Sequence, residues 1–178
     1  MATPETRPQM VMRPAREDDA AALREIFNDA VQDGLATFDT EPRTLEEQQQ
    51  LIAAAAQDPR RPILVAELRG WVLGWTTLQR FDPRPQWEDV GEVIVYVRRS
   101  FRNYGVGRQL MKALQQEAQN LGYRKLIGWV LADNRDSLRL CRATGWREVG
   151  RHEQHARREE GFRDVVVVEY LVPPAPAS

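Results

Sequence analysis

The sequence predicts a mixed α/β (α+β) domain in which a central, mostly antiparallel sheet is flanked by helices. Three observations carry this reading. Gly91–Val97 is β-branched and aromatic apart from one carboxylate, and it runs through a basic glycine loop straight into an amphipathic helix. Upstream, Ile63–Leu68 and Trp71–Leu78 are strand-like runs joined by Arg69-Gly70, the pattern of a tight hairpin. Strands and helices also alternate irregularly: one strand, two helices, three strands, helix, strand, helix, strands. That order suits a mixed sheet better than a regular parallel one.

Taken in order, Val11–Ala15 reads as a first strand ended by Pro14, and Arg16-Glu17-Asp18-Asp19 supplies carboxylates to the first turn of a helix. Ala22, Ile26, Phe27 and Ala30 or Val31 give that helix an apolar side, and Gly34 marks its end. Leu35–Pro42 is irregular. Thr44 and Glu47 have capping-box spacing and open a helix to about Gln57. After the hairpin, Gln79–Asp89 is a long loop with prolines and aromatics, a length usual for functional or mobile segments. Gly91–Val97 follows, read as a strand buried on both faces. Val106, Leu110, Leu114, Ala118 and Leu121 then space out a helix closed by Gly122. Lys125–Val130 is another strand, Ser137–Ala143 a short helix after Asp133-Asn134, and the chain closes with Trp146–Val149, a polar hairpin around Glu159-Glu160-Gly161, and Val165–Leu171.

The 178 residues suit one domain, expected over 11–172 with disordered tails at 1–10 and 173–178. A net charge of −1 gives no global basic field for nucleic acid or an anionic membrane. One cysteine, Cys141, excludes an internal disulfide and favours a reducing compartment. No apolar run approaches the ~18 residues of a membrane span, so a soluble cytoplasmic protein is expected. His152 and His155 have no companion ligands at metal-binding spacing, and no metal is expected.

Two glycines at a helix N-terminus suit a phosphate or pyrophosphate, because outward N–H groups and the helix dipole meet there. The spacing excludes a dinucleotide fingerprint, since leucine stands at position 110, and a Walker loop, since its Lys-Ser/Thr pair is missing. What remains is Arg102-x-x-Gly105-x-Gly107 after a strand. Asn134-x-x-Ser137 and Gly145-Trp146 follow downstream. Together these resemble the GNAT superfamily of N-acetyltransferases over roughly residues 11–172. Met12–Ala15, Ile26–Val31, Ala36-Thr37-Phe38-Asp39-x-Glu41-Pro42, Val65-Ala66-Glu67 and Tyr96-Val97 are similar, more narrowly, to the branch of phosphinothricin and methionine-sulfoximine acetyltransferases.

The resemblance implies acetyl-CoA as donor, a small-molecule amine such as an amino-acid analogue as acceptor, a splayed cofactor cleft and a homodimer. It implies that the backbone of Val95, Tyr96 and Val97 pairs with the pantetheine arm as an added strand would, and that Arg102, Asn103, Tyr104, Gly105, Val106, Gly107 and Arg108 hold the pyrophosphate. Asn103 replaces a glycine usual in the branch, which asparagine's tolerance of left-handed backbone allows. Tyr104 replaces a frequent lysine, a loss that Arg98, Arg99 or Arg108 can offset. Asn134 would cap the short helix and touch the pantetheine arm, and Ser137 would join it in binding the cofactor.

Glu92 matches the branch's strand glutamate and is the expected general base; the main-chain N–H of Val97 would meet the oxyanion. Cys141 stands where the family has tyrosine or histidine as the leaving-group acid. Two readings stay open: a thiol acid, or a small buried hydrophobe with water protonating the thiolate. Phe38, Trp75, Trp87 and Phe162 are candidate acceptor-pocket aromatics, with Arg80 and Arg84 as carboxylate binders. An ungapped comparison puts Glu88 and Asp82 where the branch has arginines, so the acceptor is either held by a re-registered loop or differs in charge. A protein or peptide N-acetyltransferase and a non-catalytic CoA-binding sensor are the alternatives.

Overall fold

A computed structural model describes residues 9–174. The expected tails lie outside those residues except for 9, 10, 173 and 174. Seven strands form one sheet in the order β1-β2-β3-β4-β5-β7-β6, antiparallel throughout except between β4 and β5. They span Val11–Pro14, Ile63–Leu68, Trp71–Arg80, Val90–Val97, Lys125–Leu131, Arg147–Arg158 and Gly161–Leu171. The helices are α1 Ala20–Asp33, α2 Leu45–Gln57, α3 Val106–Asn120 and α4 Arg135–Ala143.

The local signals act as expected. Gly34 ends α1 in the left-handed region. At α2 the Glu47 amide donates to Thr44 Oγ1 at 3.2 Å while the Thr44 amide donates to Glu47 Oε2 at 2.7 Å, the reciprocal capping box. The α3 stripe Val106, Leu110, Leu114 and Ala118 is buried. Strand alternation divides the core between the two sheet faces. Ile63, Val65, Trp75 and Tyr96 pack against α1 and α2, whereas Leu64, Leu78, Leu126 and Val168 pack against α3 and α4. Gly74 permits the closest approach in the sheet, since a Cβ there would lie 2.7 Å from the Tyr96 carbonyl oxygen.

Two expectations change. The C-terminal hairpin is longer than predicted: β6 runs continuously to Arg158, although every residue from Arg147 to His155 is exposed. Polar side chains hid it, because an edge strand needs backbone pairing and no apolar alternation. β4, read as buried on both faces, is only half-buried from Glu92 to Val95. The reason is topological. The parallel β4–β5 pairing covers only Val90↔Lys125, Gly91↔Leu126 and Glu92↔Ile127. Beyond Glu92 the strands part.

Candidate active site

Where β4 and β5 diverge, a cavity of about 350 Å³ opens. Its walls are β4 from Glu92 to Tyr96, β5 from Gly128 to Leu131, the Leu35–Asp39 segment after α1, and Ser137, Leu140 and Cys141 of α4. The Arg98 amide donates to the Leu73 carbonyl at 2.8 Å. An antiparallel ladder alternates strictly, so Tyr96 and Ile94 also spend their amides and carbonyls on β3, while those of Val95 and Val97 turn toward the β5 side. That side is open from Val93 onward. Tyr96 therefore contributes its side chain, and the open edge is left to the backbone of Val95 and the Val97 N–H, the Val97 carbonyl accepting from Arg102 Nε at 3.4 Å.

Glu92 sits at the fork, the last β4 residue paired with β5, and it lines the cavity. Burial, the one cause at work, pushes its carboxyl pKa above the ordinary glutamate value. By alternation its side chain shares the α1/α2 face with Ile94 and Tyr96. The Tyr96 phenol is buried beside Thr37, within reach of the charges of Arg43, Asp39 and Glu92.

At the end of β4 the chain turns through Arg102 and Asn103, the latter at φ +66° in the left-handed region foreseen for asparagine. Gly105 follows at φ +80° as the residue before α3. The first helical bond is Gln109 N–H to the Gly105 carbonyl, 3.1 Å, so the amides of Val106, Gly107 and Arg108 precede it at the positive end of the helix. Asp33 braces the loop by ion pairs to Arg99 and Arg102 at 2.6 and 2.7 Å, and Arg98 pairs with Glu25 at 2.9 Å. Arg98 and Arg99 are thus committed to α1. Arg108, by contrast, is exposed and forms no ion pair among the described residues. Tyr104 itself is 75% exposed.

Asn134 caps α4, accepting from the Ser137 amide at 3.0 Å, and donates to the Leu35 carbonyl at 2.9 Å. It thereby ties α4 to the segment across the cleft. Cys141 is buried on the same wall, and burial above all, with Glu148 adding to it, pushes its thiol up to about 11.

Several expected acceptor residues lie elsewhere. Trp75 is a core residue, 1% exposed, with its indole N–H on the Leu23 carbonyl; its strand position turns it toward α1. Arg80 donates to the carbonyls of Asp82 and Pro83. Arg84 holds Asp82 through Nε and Nη2 at 2.7 and 2.9 Å and stacks 3.7 Å from the Trp87 ring. The loop therefore satisfies its own arginines, and neither they nor Trp87 reach the cavity wall. Phe162 is exposed and also away from it. Phe38 does line the cavity, joined by Thr37, Asp39, Arg43 and Trp129, which sequence reasoning had not assigned to the site. Trp129 stacks with His155 at a centroid distance of 6.2 Å and lies tilted against His152 at 6.0 Å. The branch-like string at 36–42 pointed to this wall; Arg43 follows it directly.

Residues 21–146 match the sequence profile of the Acetyltransferase (GNAT) family, over more than half of the chain. The chain belongs to this family. It is an acetyl-CoA-dependent N-acetyltransferase, and its sheet and cleft are those of the GNAT fold. Among relatives, the phosphinothricin N-acetyltransferase of Streptomyces viridochromogenes is 29% identical over 163 residues, covering 92% of this chain and 87% of its own. The L-methionine sulfoximine/L-methionine sulfone acetyltransferase of Salmonella typhimurium is 30% identical over 138 residues, 77% of this chain and 80% of its own. A ribosomal-protein-alanine N-acetyltransferase from Brucella melitensis superposes with a TM-score of 0.87 at 32% identity, over 90% of this chain and 99% of that one.

Proposed function

We propose that the enzyme acetylates the primary amine of a small amino acid or amino-acid analogue, of the kind named for the phosphinothricin and methionine-sulfoximine relatives, by direct attack. The observation that carries this reading is the fork. A half-buried carboxylate with a raised pKa stands where β4 offers an unpaired edge to one substrate and an aromatic-lined wall to the other. Acetyl-CoA supplies the acetyl thioester. The open edge of Val95 and Val97 and the amides at the start of α3 fit an elongated pantetheine arm ending in a pyrophosphate. Glu92 would take the ammonium proton, which leaves the amine neutral for attack on the thioester carbonyl, and the Val97 N–H would stabilise the oxyanion; the C–S bond then breaks, the nitrogen gives up its remaining extra proton to water and the departing CoA thiolate takes one from water.

Incubation with acetyl-CoA and a panel of amino acids, sulfoximines, polyamines and peptides, with free thiol followed and products weighed by mass, is expected to show N-acetylated amino-acid analogues. Stabilisation by acetyl-CoA without turnover on any acceptor would replace this reading by a CoA-binding sensor. A peptide acetyltransferase is disfavoured because Asn134 and Arg158 pin the Leu35–Thr37 segment across the cleft.

For Cys141 the packing role is the better supported. Burial pushes its thiol up to about 11, so it gives up a proton less readily than an ordinary thiol and is a poor acid for the leaving thiolate. Cys141→Ala is expected to change kcat by less than about threefold and to lower stability by about 1 kcal/mol. A hundredfold fall in kcat would restore the thiol as general acid.

A cytoplasmic location agrees with the single cysteine, and no helix among the described residues is long and apolar enough to cross a membrane. The exposed edge of β6 is suited to pairing with a second copy, which supports a homodimer. Sedimentation at the 20.5 kDa of one chain would remove that reading.

A further inference from the structure

The cavity that Glu92 lines is also lined by a cation with no role in the chemistry described so far. Arg43 lies at the end of the connection between α1 and α2, lining both the main cavity and a shallower hollow of about 290 Å³ bounded by Phe27, Asp39 and Glu47. Its place in the fold does not depend on its guanidinium. The Arg43 amide donates to Asn28 Oδ1 at 2.8 Å, and its carbonyl accepts from Asn28 Nδ2 at 3.1 Å, so one side chain holds both backbone groups.

The guanidinium carbon lies 3.7 Å from the centre of the Phe27 ring, and Phe27 in turn meets Tyr96 edge-on at 5.4 Å. Stacking on an aromatic face satisfies the flat side of a guanidinium and leaves its in-plane N–H donors to find acceptors. Here they are poorly supplied. Asp39 approaches Nη2 only to 3.5 Å and is itself 56% exposed, too long and too wet for a strong charge-assisted bond. Nη1 is buried with no hydrogen-bond partner among the described residues. An orphaned buried donor of a permanent charge is costly, and a ligand acceptor that completes it is correspondingly favoured. Arg80 and Arg84 are engaged within their own loop; Arg158 donates to the Thr37 carbonyl and also leaves its Nε without a partner, but of these guanidiniums only that of Arg43 belongs to a residue lining the cavity.

We infer that Arg43 is the anion-binding residue of the acceptor site, taking the carboxylate of a zwitterionic α-amino acid whose ammonium faces Glu92. The inference deepens the N-acetyltransferase reading and rests on it. A cation and an acidic group lining one cavity complement a zwitterion and oppose a polyamine. Asp39 is then a loosely held counter-ion that the substrate carboxylate supplements, and Phe38 and Trp129 are left to contact the rest of the acceptor.

The test compares L-methionine sulfone with its primary carboxamide, on the wild-type enzyme and on Arg43→Gln, Arg43→Lys and Arg158→Gln. Each acceptor is referred to its own wild-type value, which cancels the different basicities of the two amines. Arg43→Gln should lower kcat/KM for the amino acid about 10- to 100-fold, mostly through KM, and change the carboxamide less than about threefold. Arg43→Lys should recover part of the loss, and the KM for acetyl-CoA and the melting temperature should hold. Equal losses on both acceptors, selectivity lost in Arg158→Gln instead, or putrescine as a better substrate than either would overturn the inference. Calorimetric binding of L-methionine sulfone to the wild type and to Arg43→Gln reads the same subsite without turnover. Absence of binding to the wild type also overturns the inference, whereas failure of the transferase reading shows separately as no thiol release with any amine.

Discussion

Replacing Glu92 by glutamine is expected to lower kcat/KM by about 100-fold or more, the scale of a lost general base, while leaving acetyl-CoA binding intact. The substitution keeps the size and polarity of the side chain and removes only its ability to take a proton. In the wild type, activity should fall as pH drops through the raised pKa of Glu92, because the protonated carboxyl cannot act as base. That acid limb should be missing in the variant. The amine's own ionisation also shapes the profile, so acceptors of different basicity are needed to separate the two. An unchanged rate with an unchanged profile would dismiss Glu92 as base.

The same residue makes a prediction about stability. Its folded pKa lies above the unfolded value, so between the two the native state binds more protons and stability declines as pH rises. Glu92→Gln should therefore be the more stable protein at neutral pH and lose that advantage in acid. Chemical denaturation at several pH values reads this directly. A stability gained together with a lost activity is what a buried group retained for chemistry would show.

Gly105→Val is expected to weaken acetyl-CoA binding tenfold or more with little effect on acceptor KM. The cause is conformational. At φ +80° a side chain is strained, by about 1–2 kcal/mol in general and more when β-branched, although a Cβ at this position would meet open space. Relief of that strain rotates the backbone at the start of α3 and re-aims the amides of Val106, Gly107 and Arg108. Gly105→Ala should fall between. Calorimetric titration with CoA measures the effect, and unchanged affinity in Gly105→Val would reduce the loop to an ordinary turn.

Most of the element order was legible because its signals are local. The Thr44–Glu47 box, Gly34 and the α3 stripe act within a few residues and need no knowledge of what packs on them. Glu92 was legible for a related reason: a carboxylate in an apolar strand violates local patterning, and such violations concentrate at sites. The C-terminal strand β6 was only half legible, since its pairing leaves no apolar alternation. Trp75 misled because an aromatic near a candidate pocket looks the same in sequence whether its strand turns it toward the cleft or toward α1. Arg80 and Arg84 misled because the loop has its own acceptor in Asp82, a contact of two residues' span that competes with any substrate carboxylate.

The sequence by itself determined most of the element order, the glycine loop and the identity of the unusual acid, because helix caps, glycine turns and strand patterning are written in neighbouring residues, and its motifs carried the resemblance to the family. Only the tertiary structure decided where the sheet parts, which way the backbone of β4 faces beyond Glu92, and that Arg43 rather than a loop arginine lines the cavity. Those features depend on strand register and on how the α1–α2 connection folds back onto α1, contacts between residues well separated in the chain that no local spacing encodes.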